Sequence, residues 1–165
     1  MTRAGASRVL ELGFGPGLSI EACAARATEG RVVGVDHSEV MVDVASRRNA
    51  VAIAQGRVEL HAASFDALPK FDVPFDRIFG VNAIQFASDE GSLLLALRQR
   101  LRAGGRIAVT FQSRRAGATS EDTAHGGATL AESLEAAGFA EVRVEVLPLE
   151  PVSAVCVIGI RPPSL

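Results

Sequence analysis

The chain has 165 residues, 48% of them hydrophobic and 22% charged, with a formal net charge of −2. That is enough for one globular domain of ordinary size, too short for two full ones and too apolar for a disordered segment. The slight negative charge and the absence of Trp and Tyr remove the basic footprint and the stacking platform of a nucleic-acid-binding module, so the pairs Arg47-Arg48 and Arg114-Arg115 read as solvated surface.

Short apolar runs alternate with helical stretches. RVLEL (8–12) predicts a buried strand, and LSIEACAARAT (18–28) a helix with its apolar and small residues on one face. RVVGVD (31–36) is a second strand. Ser38 is placed to cap a helix running through MVDVASRRNAVAIA, which Gly56 closes. RVELHAA (57–63) and FDRIFGVN (75–82) are the third and fourth strands. DEGSLLLALRQRLRAGG (89–105) reads as a helix ended by two glycines, and RIAVTF after it as the fifth strand. A polar stretch, SRRAGATSEDTAHGG (113–127), leads into the helix TLAESLEAAGF. EVRVEVL (141–147) and SAVCVIGI (153–160) are joined only by PLEPV, too short for a parallel crossover, which predicts an antiparallel hairpin. The sum is one α/β domain over residues 1–165, a doubly wound open sheet with an antiparallel strand near one edge.

Ligands of such sheets bind beyond the carboxyl ends of the strands, where the winding reverses. The loop GFGPG stands there, directly after the first strand. Gly13 and Gly15 permit a tight turn and close backbone approach to a ligand, and Gly17 lets the following helix pack near the sheet. Asp36, at the end of the second strand, is placed to accept hydrogen bonds from ribose hydroxyls. The dinucleotide fingerprint would put its third small residue at Leu18, and leucine there crowds a pyrophosphate. Glu11, just before the loop, suits a ligand with an amino-acid tail better than one with phosphates. These residues point to an adenosine-containing ligand without a pyrophosphate.

ELGFGPG, VVGVDHSEVMVDVAS, the LP of FDALP, FDRIFGVNAIQF and LRAGGRIAVTF, in that order, resemble the class I S-adenosylmethionine-dependent methyltransferases, from about Val9 to the C-terminal hairpin. The resemblance implies a three-layer sandwich around a mostly parallel seven-stranded sheet of order 3-2-1-4-5-7-6, with strand 7 antiparallel. It implies S-adenosyl-L-methionine as cofactor, with the Gly13–Gly17 backbone under its methionyl and ribose parts and Asp36 on the ribose hydroxyls. His37 would lie against the adenine face, Ser64 and Phe65 at the adenine edge, and Val81 and Asn82 along the methionine end and the methyl group. Ser64 stands where the family usually has an acid, and serine accepts a hydrogen bond less strongly. The first strand begins at about residue 8, where the family usually has an N-terminal cover ahead of it; three expectations stand open, that a second copy or a partner chain supplies the cover, that the start of the chain is truncated, or that the site is open, and the mean hydropathy of +0.24 favours the first.

No base is assigned among the polar residues near the methyl position, Asn82, Gln85 and His37. The amino-methylating signature of nucleic-acid enzymes is absent, since Asn82-Ala83-Ile84-Gln85 occupies its place. A small-molecule acceptor is expected, with no nucleic acid, no membrane and no metal. Blander readings stand beside these: Glu11 as a solvated strand end, Asp36 as part of a helix cap, Asn82 as a turn residue. Asp76 and His61 read as structural, His125 as a surface residue in a Gly-rich loop. Cys23 and Cys156, far apart and in apolar segments, read as buried inert thiols. No apolar run has the length of a membrane span and residues 1–8 are too short and polar for a signal peptide, which makes the cytoplasm the expected location. Two alternatives remain: a non-catalytic subunit that keeps the methyltransferase fold, and an NAD(P)-linked oxidoreductase, against which Leu18 argues.

Overall fold

The computed structural model describes residues 7–163. Seven strands form one sheet in the order β3-β2-β1-β4-β5-β7-β6: β1 (Arg8–Leu12), β2 (Arg31–Asp36), β3 (Val58–Ala62), β4 (Phe75–Val81), β5 (Leu101–Phe111), β6 (Ala140–Leu147) and β7 (Ala154–Ile160). The first five are parallel, and β7 runs antiparallel to both β5 and β6. The sheet order and the hairpin are those expected from the sequence.

The helices are α1 (Leu18–Arg26), α2 (Glu39–Arg48), α3 (Ala50–Ala54), α4 (Glu90–Arg100) and α5 (Ser120–Ala136). One face of the sheet packs on α4 and α5. There Leu93, Leu94, Leu97, Leu130 and Leu134 meet Leu10, Val33, Phe75, Ile78, Ile107 and Val157 in the main core. The other face carries α1, α2 and α3 over β1, β2 and β3, around Phe14, Ile20, Ala24, Val32, Ala45 and Val58. Among the described residues no helix covers this second face beyond β1. Arg77, Phe79 and Val81 of β4, Ala108 of β5 and Ile158 of β7 alternate with the buried Ile78, Gly80, Ile107, Val109 and Val157, and are only partly covered or exposed.

Three boundaries differ from the expectation. The helix after Ser38 is broken at Asn49 into α2 and α3. Asn49 is buried, and its amide donates to the carbonyls of Gly17 and Ala45, 3.1 and 2.9 Å away. The helix before β5 stops at Arg100, and LRAGG belongs to the strand element, where the pairing with β4 shifts between Phe75 and Arg77. The last helix begins at Ser120, well before TLAESL. Thr119 and Asp122 form a reciprocal capping box, and the helix runs through Gly126 and Gly127. A Cβ on Gly126 would lie 2.2 Å from Cε1 of Phe111, and one on Gly127 2.6 Å from Cγ2 of Val155. Those glycines are helical because α5 presses directly on β5 and β7, so His125 lies on a helix and not in a loop. Cys23 and Cys156 are half-buried free thiols, both pushed up chiefly by desolvation.

Candidate cofactor site

The chain leaves β1 through three glycines in the left-handed region, with φ of 66° at Gly13, 51° at Gly15 and 81° at Gly17. What each position requires differs. A Cβ on Gly17 would stand 2.7 Å from Cβ of Ala45, so this glycine admits α2 rather than fitting the next helix to the sheet. A Cβ on Gly15 would meet nothing within 4 Å, which leaves bare backbone facing open space. Gly13 lies against Ala83, the residue after Asn82, and its N–H donates to the Val35 carbonyl at 2.8 Å.

The loop is held from below by its own aromatic residue. Phe14 is buried in the α1–α2 core, and a Cβ on Gly34 would come within 2.6 Å of its ring. It is held from the side by Asn49, and Arg48 donates to the Pro16 carbonyl at 3.0 Å. A loop tied at Val35, Gly34, Asn49 and Arg48 arrives preorganised, with little ordering left for a ligand to bring about.

Two buried carboxyl groups face this loop from the ends of adjacent strands. Asp36 is 4% exposed. Its Oδ2 accepts from the Gly15 N–H and its Oδ1 from the Ser38 N–H, each at 2.9 Å. Each carboxylate oxygen has more than one acceptor site, so both keep capacity for hydroxyl donors. Glu11 is 1% exposed, a buried group rather than a solvated strand end. The Ser19 hydroxyl donates to its Oε1, whereas Oε2 has no hydrogen-bond partner among the described residues. Desolvation pushes this carboxyl up to about 7; the Ser19 hydrogen bond opposes the shift and the Asp36 charge adds to it. An orphaned buried carboxylate oxygen is costly unless a cation or a donor reaches it.

The other expected residues lie along the same carboxyl rim. His37 is exposed, with Nδ1 3.6 Å from Asp36 Oδ1 and its ring 6.4 Å from those of both Phe65 and Phe86. Ser64 caps the short turn Phe65–Ala67, its Oγ accepting from the Asp66 N–H at 3.2 Å. Phe65 is buried beside Gly13. Asp66 accepts from the Ser88 N–H at 3.0 Å and so ties this turn to the segment before α4. Val81 is exposed at the end of β4. Asn82 has φ of 50°; its N–H donates to Thr110 and its Oδ1 accepts from the Gln112 N–H, both at 2.8 Å, fastening β4 to the end of β5. Glu11, the loop, Asp36, His37 and Phe65 form one cluster, with Val81 and Asn82 at its border. Sequence reasoning missed Phe14, Asn49 and Ser19, which support the loop, and Phe86, which joins the His37 rings. Nothing local singles out Asn49, which directly follows the polar residues Ser46-Arg47-Arg48. A cleft of about 750 Å³ lies elsewhere, at the amino ends of β4 and β5, among Lys70, Pro74, Arg100, Leu101, Arg102 and Arg161.

Comparison with known proteins agrees with this picture. Residues 9–105 match the family model described as a methyltransferase domain. The uncharacterized methyltransferase YdaC of Bacillus subtilis is 29% identical over 157 residues, 93% of this chain and 83% of that protein. A trans-aconitate 2-methyltransferase of Variovorax paradoxus is 36% identical over 110 residues, but these span 67% of this chain and only 40% of that enzyme. The crystal structure of a SAM-dependent methyltransferase from Aquifex aeolicus superposes with a TM-score of 0.75 at 21% identity, covering 96% of this chain and 83% of that one; at that identity the likeness is one of fold. The sheet order, the matched family model and the loop at the end of β1 agree: this chain belongs to the methyltransferase-domain family, within the class I S-adenosylmethionine-dependent methyltransferases.

Proposed function

We propose that this chain, a single domain, binds S-adenosyl-L-methionine on the shelf formed by Gly13–Gly17, Glu11 and Asp36, and transfers its methyl group to a small-molecule acceptor. The observation that carries the assignment is the pair of buried carboxyl groups facing bare loop backbone. Asp36 has acceptor capacity left for ribose hydroxyls. Glu11 Oε2 is a buried acceptor without a partner among the described residues, matched to the cationic amino-acid end of such a cofactor. Gly15 presents bare backbone to open space, with nothing within 4 Å of where a Cβ would stand. By this fit His37, Ser64 and Phe65 would flank the adenine, and Val81 and Asn82 the methyl-bearing end. When bound, the cofactor supplies a methyl already activated on a sulfonium.

The protein's own contribution is then positioning. Asp36 fixes the loop through Gly15 and the start of α2 through Ser38, so one carboxylate sets both walls of the ribose site. Asn82 holds the ends of β4 and β5 together beneath the place where an acceptor enters. None of Asn82, Gln85 and His37 is assigned as a base. Among the described residues no helix is long and apolar enough to cross a membrane, and we place the protein in the cytoplasm as an expectation of composition. Trans-aconitate, named for the Variovorax relative, enters a first panel of acceptors as its anionic member, beside neutral and cationic compounds.

Calorimetric titration with S-adenosylhomocysteine tests this reading, with NADH as control. Asp36→Asn leaves one oxygen acceptor and is expected to weaken binding at least about 100-fold, roughly two charge-assisted hydrogen bonds. Binding by the wild type should release a proton between pH 4.5 and 7, because a cationic ligand group beside Glu11 draws its carboxyl back to the ionised form. Absence of binding at millimolar ligand, an affinity weaker than about 4 kcal/mol, would leave the non-catalytic alternative.

A further inference from the structure

Behind the rim, between the start of α4 and the middle of α5, lies a small cavity of about 180 Å³. Ile84, Gln85, Glu90, Phe111, Gly126 and Leu130 contribute to its walls. It is smaller than the roughly 300–1,000 Å³ that take a drug-sized ligand, so it suits one ring or a short branched chain. Its shape depends on Gly126, since a side chain there would drive into the Phe111 ring. The walls are chiefly apolar, and Glu90 is the one ionisable side chain among them. The Glu90 carboxylate makes no hydrogen bond or ion pair among the described residues. Glu90 is partly exposed in the first turn of α4, where a carboxylate suits the helix dipole, and with no protein partner among the described residues it is free to meet a ligand group in the cavity. No lysine, arginine or histidine lines the space.

We propose that this cavity receives the methyl acceptor, and that the acceptor is a small molecule with an apolar body and a cationic or hydrogen-bond-donating group held by Glu90. The proposal rests on the functional reading above, because Ile84 and Gln85 follow β4 directly and so connect the cavity to the candidate cofactor shelf. A partly exposed carboxylate at the edge of a chiefly apolar cavity favours a cation or donor and opposes an anion, which makes the charge of the acceptor the property this pocket selects. Gln85, exposed at the mouth, supplies a second polar contact of either sense.

The test uses three probes of one shape and different charge: benzylamine, benzyl alcohol and benzoate. Their affinities are measured by ligand-observed NMR on the full chain saturated with S-adenosylhomocysteine. Benzylamine is expected to bind at least tenfold tighter than benzoate, and Glu90→Gln should collapse that ratio while leaving benzyl alcohol within about twofold. The retained alcohol affinity shows that the variant pocket is intact. Tighter binding of benzoate, equal binding of the two, no binding of any probe, or a ratio unchanged in Glu90→Gln overturns the proposal. Failure of the cofactor reading looks different: S-adenosylhomocysteine itself does not bind, whatever the probes do.

Discussion

Strands β4, β5 and β7 have two faces that the same backbone presents to very different surroundings. Toward α4 and α5, Ile78, Ile107, Val109 and Val157 are each no more than 2% exposed. On the opposite face the alternate residues include Arg77, Phe79, Val81, Ala108 and Ile158, with no helix over them among the described residues. The difference teaches that strand alternation is a local property, while what covers a face is decided by the path of the chain. The covered face is uniformly apolar. The other mixes arginines with apolar side chains, a surface that tolerates water and would also accept a covering layer.

The comparison can be tested by truncating neighbours on the two faces. Ile107→Ala is expected to cost about 3–4 kcal/mol in urea unfolding, because its cavity lies inside a packed core. A loss below about 1 kcal/mol would mean that this core relaxes freely.

Glu11 gives the next effect, of opposite sign, on the face that α1 only partly covers. Its carboxyl is raised from 4.5 to about 7, so the folded chain holds a proton that the unfolded chain releases. Its contribution is fully present below pH 4.5 and is lost as pH rises through 7. Glu11→Gln should therefore be more stable than wild type by up to about 3 kcal/mol at pH 8, with the gap closing toward pH 4.5. A gap independent of pH would show that Glu11 is ionised in the fold throughout.

The smallest effect is expected for Ile158→Ala, under about 1 kcal/mol, since its neighbours on that face are already partly wet. A larger loss that grows with protein concentration would identify a second copy as the cover of the face.

Much of this could be read from residues in a row. The strands are short apolar runs, the hairpin follows from the brevity of PLEPV, and the glycines and Asp36 mark the shelf through their order. What could not be read depends on contacts distant in sequence. Gly126 and Gly127 read as loop residues because only Phe111 and Val155 make them necessary inside a helix. Asn49 passed as a helix residue because its partner, the Gly17 carbonyl, lies 32 positions away. Glu11 kept a solvated strand end as its alternative reading because nothing local announces that α1 and Ser19 will bury it. The candidate site residues could be named from the sequence; the supports beneath them could not.

The break at Asn49 carries a consequence for engineering. The glycine loop is a module of two pieces, the second being an asparagine that interrupts a distant helix. A transplant of VLELGFGPGLSI alone into another α/β scaffold would arrive without its latch. Such a graft has to carry Asn49, a small residue at position 45 and a glycine at position 34 along with it.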